Sequence, residues 1–209
     1  MTEQAVQWLR DRLNVSRETL DRLQDLERWT VAANSAQNLI ARSTLDQFWT
    51  RHILDSAQLL PIAQGVSGRW LDLGSGAGFP GLVVALLSER NVALAEERRK
   101  RADHLLGMIR RFGLGNRVQL LRGRVEVQKE RPFAVISARA FAPLDRLFRL
   151  AHHLSTEETL WLLPKGKSAA SELEAARGTW QGSFRIEPSV TDPDGAIIVA
   201  TGVQPRRRR

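Results

Sequence analysis

The chain has 209 residues, of which 43% are hydrophobic and 26% charged, and this globular composition excludes wholesale disorder. Lysine and arginine together number 31 against 23 acidic residues, and the net charge of +8 favours an anionic partner, either nucleic acid or a membrane surface. Cysteine is absent, which excludes disulfides, thiolate zinc sites and cysteine nucleophiles.

Apolar runs in the sequence are too short to span a membrane, and the polar start of the chain does not resemble a signal peptide. The four histidines show no spacing typical of metal ligands, so we expect no bound metal. We therefore expect a soluble, cytoplasmic protein that does not associate with membranes. We also expect a monomer.

The first part of the chain predicts helices. Apolar residues recur at helical spacing over residues 6–13 and again over residues 20–29, with charged residues between them. Ser16 precedes the second of these segments and is placed to cap it. The pattern indicates two amphipathic helices with their apolar sides turned toward a core.

Another helix is predicted over residues 44–60. Ser43 and Asp46 are a plausible capping pair at its start, and Pro61 is expected to end it. With the two earlier helices, this segment completes a helical stretch that precedes any strand pattern. We therefore interpret residues 1–62 as an N-terminal helical extension.

Short apolar runs alternate with helical patterns from Arg69 onward. The predicted strands cover residues 70–73, 92–96, 118–121, 133–137 and 159–163. The predicted helices cover residues 80–87, 98–112 and 144–153. A closing hairpin is expected from residues 184–190 and 196–201. This alternation predicts an α/β domain over residues 63–205, with a mostly parallel sheet covered by helices on both faces, and a basic tail at residues 206–209.

A glycine-rich loop joins the first predicted strand to its helix. Gly74, Gly76 and Gly78 permit a tight turn and let a ligand approach the backbone, and the following helix offers free N–H donors. Residues 76–81 satisfy the dinucleotide pattern G-x-G-x-x-G, and Glu96 lies twenty residues on, as that fingerprint requires. The alternative is a structural connector, but the flanking strand and helix favour a cofactor loop.

The acid Asp72 lies two residues before Gly74. This placement resembles the D-x-G-x-G-x-G signature of class I methyltransferases, which have a Rossmann-like fold and in which the acid helps to position the loop and the methionine ammonium. The remaining chain is also too short for a typical dehydrogenase substrate domain. Both features favour S-adenosyl-L-methionine as the cofactor over a nicotinamide dinucleotide, and a nicotinamide-dependent oxidoreductase is the less favoured alternative.

A carboxylate at the end of the second strand is typical of ribose binding, because it accepts two hydrogen bonds from vicinal hydroxyls. Glu96 and Glu97 compete for this role. Glu96 is favoured, because it ends the apolar run and projects at the carboxyl edge of the sheet. The other interpretation is a solvated acid opposite the basic residues 98–101.

Six segments together resemble the bacterial small-subunit ribosomal RNA methyltransferase G family, also known as glucose-inhibited division protein B. In chain order they are Asn38-Leu39, Arg51-His52-Ile53-Leu54-Asp55-Ser56, the loop at residues 72–81, Arg124-Val125-Glu126, Ser137-Ala138-Arg139-Ala140-Phe141 and Lys165-Gly166. The resemblance implies S-adenosylmethionine-dependent methylation of N7 of guanine 527 in the 530 loop. It also implies 16S rRNA, or the small ribosomal subunit, as the partner.

The resemblance also implies roles for single residues. Gly74 and Phe79 are expected to contact the cofactor, Val125 and Glu126 to bracket its adenine, and Arg139 to line the methyl-transfer pocket. Each role has a plain alternative. Val125 is equally suited to a hydrophobic core, Glu126 to a pair with a neighbouring arginine, and Arg139 to the surface.

The expected RNA contacts are Arg51, His52, Arg101 and Lys165, and Arg139 and Lys165 are expected to orient the guanine and a neighbouring phosphate. Lys165 is otherwise a solvated lysine at a strand end. For His52 the alternative is a structural histidine hydrogen-bonded to Asp55. Further phosphate contacts are expected from the basic residues 98–101, 110–111, 117, 122, 124 and 206–209.

Three positions depart from the family pattern. Glu96 replaces the aspartate of many relatives, which preserves the ribose-binding chemistry, and Ala134 replaces a common acid at a position we expect to lie away from the site. Ala138 is an extra alanine within the segment at residues 137–139, and it leaves open which small residue lies beside the cofactor.

The predicted site segments contain no obvious general base. Guanine N7 carries an available lone pair and needs none, so orientation of the reactants supplies the rate. The sequence also lacks the [DNS]-P-P-[FYW] motif typical of amino methyltransferases, and without cysteine the covalent route to pyrimidine C5 is closed. A small-molecule methyltransferase shares the cofactor loop but has less use for the basic excess. A non-catalytic RNA-binding protein with a relic loop is the weakest alternative.

Overall fold

The structure is a computed structural model that describes residues 1–206, so residues 207–209 of the predicted tail lie outside the described part. It begins with helices α1 (Glu3–Leu13) and α2 (Arg17–Gln37). Ser16 caps α2, because its hydroxyl oxygen accepts a hydrogen bond from the backbone N–H of Thr19 over 3.1 Å. Both predicted N-terminal helices are confirmed, and Leu9, Leu20, Leu23 and Leu26 are buried, whereas Trp29 is exposed.

The single helix predicted over residues 44–60 is wrong. The chain instead forms a 3₁₀ turn (Arg42–Thr44), a π-helix (Trp49–Leu54) and two short helices, α3 (Asp55–Ala57) and α4 (Leu59–Ile62). Ala41, and not Ser43, precedes the first helical turn, and Pro61 lies inside α4, near its start, where its missing N–H is tolerated. The wide π-turn buries His52, Ile53 and Leu54 in succession, which a regular amphipathic helix does not do.

Seven strands form one sheet. They are β1 (Trp70–Leu73), β2 (Val92–Glu96), β3 (Val118–Arg122), β4 (Val135–Ala138), β5 (Leu160–Lys165), β6 (Trp180–Pro188) and β7 (Ala196–Pro205). The order across the sheet is β3-β2-β1-β4-β5-β7-β6, and the pairs among β1 to β5 are parallel. The hairpin of β6 and β7 joins antiparallel to β5, as the sequence predicts.

Four further helices cover the sheet. They are α5 (Gly81–Leu87), α6 (Arg99–Arg111), α7 (Leu144–Ala151) and α8 (Ala169–Arg177). The sequence predicted the first three but missed α8, whose buried side is made mainly of alanines and shows little contrast with its exposed side. The predicted α/β fold, a mostly parallel sheet with helices on both faces and helices before it, is confirmed.

The core has two layers, one on each face of the sheet. On one face, α1 and α2 pack with α5, α6 and side chains such as Trp70 and Leu94. On the other face, α7 and α8 pack on side chains such as Leu71, Ile136 and Trp161. The N-terminal helices thus share a continuous core with the sheet, and the domain boundary at residue 62 stays a prediction.

The strand order reverses beside β1, and this reversal positions the site. Leu73 at the end of β1 lies level with Ala95 of β2 and Ala138 of β4. The loops that follow these strands therefore meet at the carboxyl edge, where open α/β sheets bind ligands. Within residues 1–206, helices that are both long and apolar enough to cross a bilayer are absent.

Candidate active site

The glycine loop after β1 has a backbone that only glycines adopt readily. Gly74, Gly76 and Gly78 have φ angles of +66°, +57° and +105°. A Cβ at Gly74 would lie 2.5 Å from the ring of Phe141, and a Cβ at Gly78 would overlap Leu82. At Gly76 the nearest atoms would be 3.7 Å away or further, so the chain has room there. The loop is therefore closely packed at two glycines and open at the third.

Asp72 holds this loop from inside the protein. Its side chain is fully buried, with one carboxylate oxygen accepting a hydrogen bond from the N–H of Gly81 (3.1 Å) and the other from the hydroxyl of Ser137 (3.0 Å). Burial raises the pKa of Asp72 to about 6, and these hydrogen bonds oppose part of that rise. Asp72 thus joins the start of α5 to β4 and lies beneath the cavities described below.

Glu96 points into the glycine loop. Its two carboxylate oxygens accept hydrogen bonds from the backbone N–H groups of Gly76 (2.9 Å) and Arg98 (2.8 Å), and its side chain is buried. Glu97 is exposed. Both glutamates line the cavity described next, but Glu96 is the one that accepts a hydrogen bond from the glycine loop, and its role as the ribose ligand stays a prediction.

A cavity of about 380 Å³ opens beside this loop. It brings together six of the residues expected to bind cofactor or RNA, which are Gly74, Glu96, Arg98, Arg101, Val125 and Glu126. Residues 140–142 form its opposite wall. Within residues 137–140, Ala140, with a φ angle of +50°, lines the cavity, whereas Ser137 is directed at Asp72.

Val125 and Glu126 lie in a 3₁₀ turn (Val125–Val127) at one end of this cavity. Val125 is buried and offers an apolar wall. Glu126 accepts a hydrogen bond from the guanidinium of Arg124 over 2.7 Å, and this pair lowers the pKa of the carboxyl group. The arginine pair considered from the sequence is therefore present, and Glu126 borders the cavity as well.

A larger cavity of about 750 Å³ adjoins the first across residues 140–142, which line both. It contains four of the residues expected to contact or orient RNA, namely Arg51, His52, Arg139 and Lys165. The turn between β6 and β7 closes one side. The two cavities together have the arrangement of a cofactor pocket next to a substrate pocket.

Arg139, which follows β4, is hydrogen-bonded to the π-helix and to the first residue of α3. Its Nη1 donates to the backbone oxygen of Arg51 (2.7 Å) and to a carboxylate oxygen of Asp55 (3.1 Å). Its Nη2 lies 3.0 Å from Nδ1 of His52, and its guanidinium stacks 5.5 Å from the ring centre of Phe79. Arg139 is therefore a fixed, half-buried cation and not a surface arginine.

His52 is a neutral, structurally defined histidine. Burial and the charge of Arg139 lower its pKa to about 3. A guanidinium only donates hydrogen bonds, so Nδ1 must be the unprotonated nitrogen, and Nε2 then donates to the hydroxyl of Thr44 over 2.9 Å. The hydrogen bond to Asp55 considered from the sequence is wrong, because Asp55 is bound instead by Arg139, Gln58 and Thr191.

Phe79 lies below both cavities. Its ring packs edge-on against Phe48 at 5.6 Å and lies 5.0 Å from the ring of His52. It is almost completely buried and is not part of either cavity wall. The side chain of Phe79 therefore supports His52 and Arg139, and its predicted cofactor contact remains a hypothesis.

Lys165 and Arg51 both have carboxylate partners. The ammonium of Lys165 donates to the backbone oxygen of Ala142 (2.9 Å) and to Glu172 on α8 (2.7 Å). Arg51 pairs with Asp192 of the β6–β7 turn over 2.8 Å and stays partly exposed at the cavity. Two of the three N–H donors of Lys165 are thus occupied, whereas Arg51 retains donors that can reach a phosphate.

Several residues of the site were missed from the sequence. Asp55, Asp192, Glu172 and Phe141 all lie at the cavities, although only Asp55 and Phe141 stood in segments that carried the resemblance. Asp192 lies between the two strands of the predicted hairpin, and α8, which carries Glu172, was not predicted. Residue type gave no signal here, because these side chains meet the site only through the packing of distant elements.

The expected phosphate contacts differ in exposure. Arg117 is wrong as an RNA contact, because its guanidinium is largely buried and donates to the backbone oxygen of Ser88 over 2.8 Å. Arg111, Arg122 and Arg124 have carboxylate partners. Within residues 1–206, Arg101 has no ion pair, and no three histidine or acidic side chains cluster as metal ligands do.

Solved structures with this architecture are methyltransferases. An O-methyltransferase of Bacillus cereus in complex with SAH superposes with a TM-score of 0.63 at 18% identity, covering 93% of this chain and 96% of its own. A SAH-bound methyltransferase of Podospora anserina gives 0.61 at 12% identity, covering 96% and 97%. The fold is that of class I methyltransferases.

Closer relatives define the family. The family model described as rRNA small subunit methyltransferase G matches residues 19–193. The protein of that name from Rhizorhabdus wittichii is 55% identical over 99% of this chain and 95% of its own length, and that from Zymomonas mobilis is 49% identical over 99% and 96%. The chain belongs to the ribosomal RNA small subunit methyltransferase G family.

Proposed function

We propose that this protein transfers a methyl group from S-adenosyl-L-methionine to N7 of guanine 527 in the 530 loop of 16S rRNA. The observation that carries the proposal is the junction of the two cavities at residues 140–142. One cavity has a carboxylate suited to a ribose, Glu96, and the other has a fixed guanidinium, Arg139, with no free base beside it. An rRNA substrate agrees with the names of the relatives and implies a cytoplasmic protein.

The residues of the smaller cavity fit S-adenosylmethionine. Glu96 would bind the ribose hydroxyls in place of its present backbone contacts, and Val125 would pack on the adenine, with Glu126 at its edge. Gly74 would let the ligand approach the loop, while Asp72 would hold the loop from below. When bound, the cofactor supplies a methyl group on a positively charged sulfur, which an aromatic nitrogen lone pair accepts without losing a proton.

The residues of the larger cavity fit a reaction that needs no general base. The lone pair of His52 Nδ1 is occupied by Arg139, and the low pKa of His52 keeps the ring neutral at pH 7. Asp55 is likewise engaged by Arg139. The protein then contributes by orienting the target guanine. A guanidinium held by three hydrogen bonds is suited to bind the acceptor oxygens of a guanine or a phosphate.

Mapping of the methylated base tests the proposal. RNA from cells that contain the protein is treated with alkaline borohydride and aniline, which cleave at N7-methylguanine, and we expect cleavage at guanine 527. Deletion of the gene should remove this cleavage. Expression of the wild-type protein in the deletion strain should restore it, whereas expression of the Arg139→Ala variant should not. Methylation mapped to an exocyclic amine, or cleavage that persists after deletion, would contradict the proposal.

Two further measurements test the cofactor and the form of the substrate. Calorimetric titration should show binding of S-adenosylmethionine and none of NAD, and the reverse result would favour an oxidoreductase. Purified protein should then be given protein-free 16S rRNA and complete small subunits in parallel. Methylation of either supports the proposal, and methylation of neither, with an active cofactor site, would favour a small-molecule substrate.

A further inference from the structure

Helices α2 and α6 approach each other near both of their ends, and the surface between these ends leads away from the candidate active site. The guanidinium of Arg22 on α2 donates to the backbone oxygen of Phe112, just after α6, over 2.7 Å. At the other end, Gln37 and Asn38 border the same cavity as residues 98–101, where α6 begins. The two helices therefore run in opposite directions. We call the surface between Trp29 and Arg111 at one end and residues 98–101 at the other the α2–α6 groove.

The end of the α2–α6 groove next to the active site is cationic. Residues 98–101, all arginine or lysine, line a cavity of about 510 Å³ together with Gln37 and Asn38. Three of these four cations are exposed, and the fourth, Arg101, also lines the candidate cofactor cavity. The acid nearest to them on α6 is Asp103, which lies 4.0 Å from Arg99. Four neighbouring positive charges here favour an anion at the edge of the site.

The far end of the α2–α6 groove presents an aromatic ring and a guanidinium stacked on it. The side chain of Trp29 is 47% exposed, which is unusual for an indole on a helix rich in charged residues. The guanidinium of Arg111 lies 4.4 Å from its ring centre, and Asp25 holds Arg111 by a 3.0 Å ion pair. Asp25 also pairs with Arg28. The carboxylate thus keeps a flat cationic and aromatic surface in place.

The two ends are separated by a distance that a short stretch of nucleic acid spans. Trp29 and Asn38 are nine residues apart on α2, which corresponds to about 13 Å along a helix. Proteins that bind single strands combine a basic groove along the backbone with aromatic rings on which bases stack. An acidic peptide would use the cations but would leave the indole unused. RNA is the partner that uses both features.

We propose that the α2–α6 groove binds an unpaired stretch of the RNA substrate, with phosphates at residues 98–101 and one base stacked on Trp29 and Arg111. The inference rests on the proposed function, because it takes RNA as the substrate, but it concerns a surface that meets the smaller cavity only at Arg98 and Arg101. Trp29 and Arg111 are absent from the cavity walls. The groove would hold the RNA while its target base enters the larger cavity.

Binding of 16S rRNA transcripts measured over a series of salt concentrations tests the groove. Trp29→Ala should weaken binding about tenfold and leave the slope of log affinity against log salt unchanged, because stacking releases no counterions. Trp29→Phe should retain most of the affinity. Arg98→Ala should lower the slope by about one. Arg185 is an exposed arginine on β6, at the distant edge of the sheet. Arg185→Ala is therefore the matched control, and it should change neither the RNA affinity nor its salt slope.

Two measurements separate this inference from the proposed function and from an effect on folding. Trp29→Ala should bind S-adenosylmethionine as the unchanged chain does, and its KM for RNA should rise while kcat stays the same. The stacking role would be overturned if Trp29→Phe also lost RNA affinity tenfold. It would be overturned as well if the folded fraction of Trp29→Ala, isolated by its thermal stability, bound RNA with the original affinity. Methylation of RNA with an unchanged KM in Trp29→Ala would overturn the groove alone, whereas absence of RNA methylation by the unchanged chain would overturn both proposals.

Discussion

Nη2 of Arg139 lies 3.0 Å from Nδ1 of His52, and this contact decides the protonation of the histidine. Because the guanidinium can only donate, the ring nitrogen facing it must carry its lone pair. The two residues are 87 positions apart in the chain, and they meet because the loop after β4 faces the π-helix. The result is a neutral imidazole beside a permanent positive charge, in the cavity we assign to the substrate.

His52 should make the stability of the protein depend on pH. Its ordinary pKa is 6.5 and its folded pKa about 3, so between these values the unfolded chain takes up a proton that the folded chain does not. The contribution of His52 to the free energy of unfolding should therefore decrease as pH falls from 6.5, by at most about 1.4 kcal/mol per pH unit. His52→Asn retains an acceptor for Arg139 and should remove this dependence.

The measurement is urea unfolding of both proteins at each pH. Asp72 acts in the opposite sense, because its folded pKa of about 6 exceeds its ordinary 3.8 and its contribution is lost as pH rises through that range. Asp72 is present in both proteins, so its contribution cancels in the difference between their free energies of unfolding. A difference that stays constant from pH 7 to pH 4 would show that His52 titrates normally in the folded state.

Replacement of Arg139 should separate catalysis from cofactor binding. Arg139→Ala should lower kcat for RNA methylation by at least tenfold, because the fixed guanidinium no longer orients the base, and S-adenosylmethionine affinity should change little. Arg139→Lys keeps the charge but loses the planar set of donors, so it should recover little activity. Activity of the unchanged chain should be flat across neutral pH. A bell-shaped profile, after controls for RNA folding, would indicate a general base and another target atom.

Glu96 and Glu97 provide a matched pair for the cofactor site. Glu96→Gln keeps one acceptor but loses the charge that strengthens the ribose hydrogen bonds, so S-adenosylmethionine affinity should fall by about 1–3 kcal/mol. Glu97→Gln, the same change on the exposed neighbour, should leave the affinity unaltered. Isothermal titration calorimetry measures both. A loss at Glu97 with none at Glu96 would reverse our assignment.

Replacement of Gly76 should mainly impair cofactor binding, whereas replacement of Gly78 should mainly reduce stability. A Cβ at Gly76 has space, with Gly74 and Arg101 of the cavity wall as its nearest neighbours, so Gly76→Val should fold with reduced stability and lose cofactor binding. A Cβ at Gly78 overlaps Leu82 in the core, so Gly78→Ala should reduce the thermal midpoint more than Gly76→Ala does. Undiminished cofactor binding by Gly76→Val would remove the loop from the site.

Removal of residues 206–209 should reduce the salt dependence of RNA binding. Each phosphate contact contributes about 0.7 to 0.9 to the slope of log affinity against log salt, so loss of four arginines should lower the slope modestly. Cofactor affinity should not change, since Arg206, the one tail residue within the described part, contacts the end of β6 near Trp180. RNA binding that does not depend on salt at all would contradict the electrostatic contribution.

The sequence alone predicted the elements whose signals are local. Strands β1 and β2 are short apolar runs, and the glycine loop is recognisable from the spacing of Asp72, Gly74, Gly76 and Gly78. The choice of Glu96 over Glu97 as the ribose ligand follows from strand parity and stays a prediction. Such features depend on neighbouring residues, since alternation, helical period and backbone freedom are properties of short segments. The mostly parallel sheet followed, because strands that alternate with helices pair in parallel, whereas the order of the strands came from the structure.

Only the tertiary structure decided the substrate cavity. The π-helix replaced a predicted regular helix, because burial of His52, Ile53 and Leu54 against the core determines the width of that turn. Asp55 meets Arg139 across 84 positions, and Lys165 meets Glu172 on a helix that the pattern did not reveal. Contacts between distant segments cost chain entropy that only the completed core offsets, so no local pattern encodes them. The sequence determined the family pattern from which the site residues are predicted, and packing determined their partners and their protonation.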